Sequence, residues 1–132
     1  MSDKNKPQSK EQEIHIAICQ YIRNKYPDVL FSSESGGIRV SMGLAKKLKL
    51  MRSCDKLPDL MIFEPRKQYK GLFLEIKKDD VTIYKKGGGF TSNEHIIGQR
   101  NILHKLNEKG YLALFVVGYE HAIQVLEYYF SD

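Results

Sequence analysis

Three of the charged residues in the stretch PDLMIFEPRKQYKGLFLEIKKDD, residues 58 to 80, have the types that metal-assisted hydrolysis requires. Asp59 stands at the start of one apolar run, and Glu75 ends the next as part of a Glu-x-Lys triplet with Lys77. Carboxylates hold Mg²⁺, and a bound Mg²⁺ can make a water nucleophilic and neutralise charge on a phosphate. Lys77 could contact the attacking water or the phosphate. These residues therefore indicate hydrolysis of a phosphodiester bond.

The same residues also have an ordinary structural interpretation. A Pro-Asp pair at the entrance of a strand is common turn chemistry, and Glu-x-Lys on an exposed strand face is a usual surface pair. Pro27 and Asp28 form a second Pro-Asp pair, and no similar triplet follows them. The short motif alone leaves both interpretations open.

Two predicted strands position these charges. The runs DLMIF and GLFLEIK are separated by EPRKQYK, whose Pro65 and polar residues suit a turn. Strand side chains alternate, so Leu72, Leu74 and Ile76 share one face, whereas Phe73, Glu75 and Lys77 share the other. In an antiparallel hairpin the start of the first strand lies beside the end of the second. We therefore expect the carboxylates of Asp59 and Glu75 to face each other.

The remaining elements predict an α/β fold with a mixed central sheet flanked by helices. An amphipathic helix runs through EQEIHIAICQYIRNK and stops at Pro27, VLFSS is a short strand, and Ser92 or Asn93 can cap a helix that ends at Gly110. LALFVV has no polar residue and is predicted to be a fully buried strand. The last helix spans roughly residues 120 to 130. Residues 38–56 have some helical spacing but could equally form an extended arm.

Length and composition indicate one domain. With 132 residues, the chain can bury a single core. We expect residues 1–9 to form a disordered tail and residues 10–132 to form a single domain. No apolar run approaches the roughly 20 residues of a membrane span, and the N-terminus has no secretory signal, so we expect a cytoplasmic, intracellular protein. Cys19 and Cys54 are too few for a disulfide framework or a zinc site.

Positive charge is concentrated in one segment. The formal net charge is +5 and the pI is about 9.1. Residues 36–54 contain no acidic residue and five basic ones: Arg39, Lys46, Lys47, Lys49 and Arg52. Such a block attracts a polyanion such as nucleic acid, although a solvated lysine-rich face would have the same composition. Glycines 87–89 form a loop without the Gly-Lys-Ser/Thr arrangement of a P-loop.

Two further polar residues stand on predicted inward helix faces. Gln99 shares its face with several apolar residues: Ile96, Ile102, Leu103 and Leu106. A buried amide needs hydrogen-bond partners, so Gln99 either bonds to backbone or takes part in a site. Glu11 continues the inward row of Ile14 and Ile18, whereas Glu13 points away; Glu11 could also simply favour the helix dipole. The four histidines, His15, His95, His104 and His121, have no metal-binding spacing and are expected at surfaces or helix ends.

The sequence resembles the PD-(D/E)xK nuclease superfamily, from about Glu11 to the C-terminus. Pro58-Asp59 and Glu75-Ile76-Lys77 are similar to its signature. Within the superfamily the chain resembles the VRR-NUC (virus-type replication-repair nuclease) branch, which is related to archaeal-type Holliday junction resolvases. Those proteins carry a Glu on the first helix, like Glu11 here, and a Gln, often in a Gln-Arg pair, like Gln99 and Arg100. This sequence departs from them at His15, where a Gln is frequent, and at Lys56 and Leu57, where a Gly is common.

The resemblance implies a restriction-endonuclease-like core of order αβββαβ and an Mg²⁺- or Mn²⁺-dependent DNA endonuclease. It implies that Asp59, Glu75 and the Ile76 carbonyl bind the metal, and that Glu11 binds a second metal or orients a water. Lys77 would then activate the water and Gln99 would support it. The residues expected to hold DNA are Arg39, Lys46, Lys47, Lys49, Arg52, Lys78 and Arg100. Branched or junction DNA and a homodimer are the implied substrate and assembly; the alternative is a non-catalytic nucleic-acid-binding module.

Overall fold

The computed structural model of the protein describes residues 10–34, 40–54, 57–78, 83–84 and 86–132. Its elements, in chain order, are α1 (Lys10–Lys25), β1 (Phe31–Ser33), α2 (Met42–Leu50), β2 (Leu60–Ile62), β3 (Leu72–Lys77), α3 (Glu94–Glu108), β4 (Leu112–Val117) and α4 (Gly118–Phe130). The predicted tail at residues 1–9 and the predicted DNA-binding residue Arg39 lie outside the described residues. None of the described helices is both long and apolar enough to cross a membrane.

The four strands form one mixed sheet in the order β1-β2-β3-β4. β1, β2 and β3 pair antiparallel, and β4 pairs parallel to β3 after the crossover helix α3. The predicted mixed α/β fold is therefore confirmed, with α2 inserted between the first two strands of the predicted order. Leu60 pairs with Leu74, and continuing this register by one residue places Asp59 opposite Glu75.

Helices cover both faces of the sheet. α1 and α4 pack on one face, where the buried core consists of Ile14, Ile18, Ile22, Leu60, Ile62, Leu72, Leu74, Ile76, Val116, Ala122, Leu126 and Tyr129. α3 packs on the other face, where Leu103 contacts Phe73 and Ala113. Every residue of β3 is buried. The interpretation of Glu75 and Lys77 as an exposed surface pair is therefore wrong, because β3 is a central strand with a helix layer on each side.

The predicted turn between β2 and β3 is a tight one. Arg66 and Tyr69 each donate their N–H to the other's carbonyl, at 3.1 and 2.7 Å. Lys67 and Gln68 between them have φ values of 50° and 75°. Positive φ at both central positions matches the twist of a two-residue hairpin. Residue 71, just after this turn, is a glycine because a Cβ at that position would lie only 2.7 Å from the Ile62 carbonyl oxygen.

β4 is not the fully buried strand that its composition predicts. Only Ala113 and Val116 are buried, because β4 is the last strand of the sheet and, within the described residues, pairs only with β3. The side chain of Asn107 partly replaces the missing neighbour. Its Nδ2 donates to the Ala113 carbonyl at 2.8 Å, and its Oδ1 accepts from the Ala113 N–H at 2.9 Å.

The basic segment, for which the sequence allowed either a helix or an extended arm, contains the helix α2. α2 begins after Ser41, whose Oγ accepts from the Leu44 N–H at 3.1 Å. None of the α2 residues is buried. Just beyond α2, the Arg52 guanidinium forms a 2.9 Å ion pair with Glu34, which connects this segment to the end of β1. The helical alternative is thus the one that the structure adopts for residues 42–50.

Both cysteines, Cys19 and Cys54, are free thiols. Cys19 packs, partly buried, against the core below α1 and α4. This burial raises the pKa of the Cys19 thiol, so the thiol stays protonated and has a packing role rather than a nucleophilic one.

Candidate active site

Asp59 lies immediately before β2 and is only 2% exposed. Its Oδ2 accepts a hydrogen bond of 2.8 Å from the Ile76 N–H. This N–H lies beyond Leu74, the last β3 residue paired with β2. No β2 carbonyl is paired with Ile76, and the Asp59 carboxylate accepts its hydrogen bond instead. The backbone of β3 thereby holds the carboxylate in one orientation at the end of the sheet.

Glu11 and His15 of α1 meet the Asp59 carboxylate. One ligand atom from each of the three residues lies within 4.8 Å of the others, and His15 Nε2 is 3.8 Å from Asp59 Oδ2. Glu11 and His15 are four residues apart, so they lie on the same face of the helix, one turn apart. The ends of α1 and β2 thus bring together two carboxylates and an imidazole.

The expectation that His15 is a surface or helix-end residue is wrong, because its exposed fraction is 5%. The signal that could have located it is helical spacing. Glu11, His15, Ile18 and Ile22 follow one another at intervals of four, three and four residues, which is one inward face of a helix. His15 therefore occupies a position on α1 that faces the sheet.

The group formed by Glu11, His15 and Asp59 has donors that suit a divalent cation. Carboxylate oxygens are ligands for Mg²⁺ and Mn²⁺, and an imidazole nitrogen adds affinity for transition metals. Two buried or half-buried carboxylates close together also repel each other, and a cation between them would offset that cost. These residues could hold a metal ion, and His15 is a candidate ligand that was not predicted from the sequence.

Glu75 lies beside this group rather than within it. Its carboxylate is 4% exposed, and its Oε1 accepts a 2.7 Å hydrogen bond from Gln99 Nε2 on α3. Gln99 Oε1 is also buried and accepts no hydrogen bond from any of the described residues. Of the two alternatives for Gln99, backbone and the site, the structure shows its Nε2 bonded to a side chain of the candidate site, the carboxylate of the Glu-x-Lys triplet.

Lys77 and Ile76 end β3 next to Glu75. Lys77 is 8% exposed and, by the alternation of the strand, lies on the same face as Glu75. In the parallel pairing with β4, Glu75 is the partner of Phe115 and Lys77 is the partner of Val117. The structure therefore places Asp59, Glu75 and Lys77 at the same end of the central strand pair.

The predicted DNA-binding residues that the structure describes have different surroundings. Lys46, Lys47 and Lys49 are exposed on α2, and Lys78 is exposed just after β3. The Arg100 guanidinium, on α3, lies 4.6 Å from the centre of the Phe90 ring. Arg52 is engaged with Glu34, as described above, and so supports the α2 segment.

In fold, the chain is similar to a solved structure described as a VRR_NUC domain protein. The TM-score is 0.61, the sequence identity is 23%, and the matched region covers 95% of this chain and 91% of that chain. The sequence matches no protein-family model, and it matches no curated protein. The chain therefore shares its fold with a VRR_NUC domain protein, over almost its whole length.

Proposed function

We propose that the protein is a metal-dependent DNA endonuclease of the PD-(D/E)xK type. The observation that carries this proposal is the buried Asp59 carboxylate, grouped with Glu11 and His15 and placed beside Glu75 and Lys77. Buried charges are costly and are retained where paired or bound to a metal. The similarity in fold to a VRR_NUC domain protein supports a nuclease-type domain.

Each residue of the site has a distinct part in the proposed hydrolysis. Glu11, His15 and Asp59 would hold the cation, which when bound supplies a Lewis acid and lowers the pKa of a coordinated water. The Ile76 N–H keeps Asp59 in orientation, and Gln99 keeps Glu75 in orientation beside it.

Lys77 provides a second positive charge for the reaction, in addition to that of the metal cation. Its ammonium would neutralise charge on the phosphate or orient the attacking water. Water adds across one phosphodiester P–O bond, and the departing oxygen takes up a proton. The carbonyl of Ile76 and the carboxylate of Glu75 are the further oxygen ligands that this end of β3 can offer.

The DNA backbone would be held by the exposed lysines of α2, Lys46, Lys47 and Lys49, together with Lys78 and Arg100. Contacts of this kind bind phosphates without reading sequence, and their affinity falls as salt concentration rises. One site cuts one strand. Symmetric cleavage of a four-way junction would therefore require a homodimer with twofold symmetry, which sedimentation of the protein would detect.

The test is cleavage of an immobile four-way junction, a flapped duplex and a plain duplex in Mg²⁺, Mn²⁺ or EDTA. We expect cleavage in a metal and none in EDTA. Asp59→Asn should abolish it, and Lys77→Ala should reduce kcat about 100-fold or more. Glu13→Ala, which changes an exposed residue of α1, is the matched control and should retain activity.

Three outcomes would contradict the proposal. They are cleavage in EDTA, full activity of folded Asp59→Asn protein, and an absence of cleavage in both metals. Salt-sensitive DNA binding without cleavage would instead identify the chain as a non-catalytic nucleic-acid-binding module. Circular dichroism of each variant shows that a loss of activity is not a loss of the fold.

A further inference from the structure

A cleft opens between α3, the outer edge of β4 and the residues that precede α3. Its volume is about 550 Å³, within the roughly 300–1,000 Å³ that is usual for small-molecule sites. Three aromatic side chains line it, from Tyr84, Phe90 and Phe115, and Arg100 and His104 of α3 lie on its wall. The proposed reaction uses none of these aromatic residues.

The cleft adjoins the candidate active site. Its lining residues Phe115 and Val117 are the register partners of Glu75 and Lys77 on the neighbouring strand. Adjacent strands are about 4.8 Å apart, and register partners in a parallel pair point to the same face. The floor of the cleft is therefore one strand away from the Glu-x-Lys triplet. On α3, Arg100 directly follows Gln99, whose amide bonds to Glu75.

The chemistry of the cleft is cationic and aromatic. The Arg100 guanidinium lies over the Phe90 ring at 4.6 Å from its centre. Arg100 Nε is buried and donates no hydrogen bond within the described part of the chain. None of the described residues that line the cleft is acidic. An occupant that suits these walls is flat and carries negative charge.

An unpaired nucleotide has both properties. Bases stack on aromatic side chains, and arginine contributes both a cation–π contact and a partner for phosphate. A base inside a duplex is already stacked and paired, so it cannot enter a cleft without being displaced.

We propose that this cleft binds an unpaired nucleotide of the DNA substrate, with its base against the aromatic side chains and its phosphate near Arg100. The inference rests on the proposed endonuclease function and adds a substrate class to it. DNA with an unpaired nucleotide close to the cleaved bond is the preferred substrate. Fully paired DNA, which leaves the cleft empty, is bound more weakly.

The test compares two duplexes in Ca²⁺, which replaces Mg²⁺ to limit cleavage during the titration. One duplex carries 2-aminopurine in a single-stranded extension, and the other carries it within a blunt duplex. We expect the fluorescence of the unpaired 2-aminopurine to fall on binding. Phe90→Ala and Tyr84→Ala should each weaken binding of the extended DNA by about 5- to 150-fold, the loss expected for one stacked base. Both should leave affinity for the blunt duplex within about twofold of wild type.

Tyr128→Ala is the matched control for these variants. A cation also lies over the Tyr128 ring, since Lys67 Nζ is 5.0 Å from its centre. Tyr128 does not line the cleft. This variant should bind both duplexes as the wild type does. Tyr84 is 66% exposed, so Tyr84→Ala tests the proposal even where Phe90→Ala lowers the melting temperature.

The outcomes separate this inference from the function on which it rests. Equal wild-type affinity for both duplexes, with no change in fluorescence, overturns the cleft proposal, while cleavage of the same duplexes in Mg²⁺ leaves the endonuclease proposal standing. Unaltered binding by folded Tyr84→Ala and Phe90→Ala proteins also overturns it. Failure of the wild type to bind either DNA contradicts both proposals together.

Discussion

Gln99 of α3 donates a 2.7 Å hydrogen bond to the Glu75 carboxylate of β3, across 24 positions of sequence. The donor stands on the apolar face by which α3 packs against the sheet, and the acceptor is almost completely buried. A hydrogen bond to a charged group in such surroundings is stronger than one to a neutral group. The crossover helix therefore orients the carboxylate of the Glu-x-Lys triplet.

Removal of this contact should impair both activity and stability. Gln99→Ala leaves the buried Glu75 carboxylate without that donor, and we expect cleavage to fall about 10- to 100-fold, as when other outer partners of a ligand are lost. We also expect the free energy of unfolding to fall by about 1–3 kcal/mol. Kinetics and urea denaturation measure the two effects.

The control for Gln99 is Asn101→Ala, which removes an exposed amide from the same helix. Its effect on stability should stay within about 0.5 kcal/mol. Wild-type cleavage by Gln99→Ala would show that the orientation of Glu75 does not matter to the reaction.

Substitution of His15 should change which metal the site prefers. His15→Gln replaces an imidazole nitrogen by an amide oxygen, and oxygen ligands favour Mg²⁺ relative to transition metals. We expect affinity for Mn²⁺ to fall at least about tenfold, with a smaller change for Mg²⁺. Isothermal titration of the folded protein with each metal gives this ratio without reference to activity. An unchanged ratio would mean that His15 is not a ligand.

Asn107 should be needed to hold the edge of the sheet. Asn107→Ala removes the donor and the acceptor that bond to the backbone of Ala113, and the polar groups of that edge lose their partner. We expect the free energy of unfolding to fall by about 1–3 kcal/mol. We also expect more association at high concentration, since an unprotected edge pairs with other strands. Urea denaturation and light scattering measure the two effects, and Asn101→Ala again serves as the control.

Tyr129 should stabilise the hairpin that carries Asp59 and Glu75. Its ring is fully buried, and its hydroxyl donates to the Glu64 carbonyl oxygen at 2.7 Å. Tyr129→Phe leaves that oxygen without this donor and should cost about 1–3 kcal/mol. The exposed neighbour Tyr128, changed to Phe, should have almost no effect.

The stability difference between wild type and Tyr129→Phe should also depend on pH. Burial raises the pKa of Tyr129 above that of an ordinary tyrosine. A raised pKa in the folded state means that the stabilisation is fully present below the unfolded pKa of about 10 and is lost as pH rises further. Denaturation at pH 8 and pH 11 should therefore show a smaller difference at the higher pH.

Much of the fold could be predicted from local sequence. Alternation along GLFLEIK placed Leu74 and Glu75 on opposite faces, and polar residues around Pro65 indicated the turn between β2 and β3. Asn93 and Gly110 marked the ends of α3, where Asn93 Oδ1 accepts from the Ile96 N–H and Gly110 has a φ of 101°. These features depend on residues close together in the chain, which a pattern can capture.

Other features depend on which elements pack together. LALFVV has the composition of a buried strand, but it is the last strand of the sheet. The backbone of its outer edge therefore bonds to the Asn107 side chain, at Ala113. For the segment around α2, the sequence was compatible with a helix or with an extended arm. Its apolar spacing is weak because the helix buries no residue.

The sequence by itself determined the types of chemical group in this protein: a Pro-Asp pair, a Glu-x-Lys triplet, an inward Glu11 and an amide on an apolar helix face. The tertiary structure alone decided how they meet. It brought the Gln99 amide into hydrogen-bond distance of Glu75. It also placed His15 and Glu11 beside Asp59. The reason is that periodicity shows which way a side chain points, whereas distances between residues remote in sequence arise only when helices and strands pack into one core.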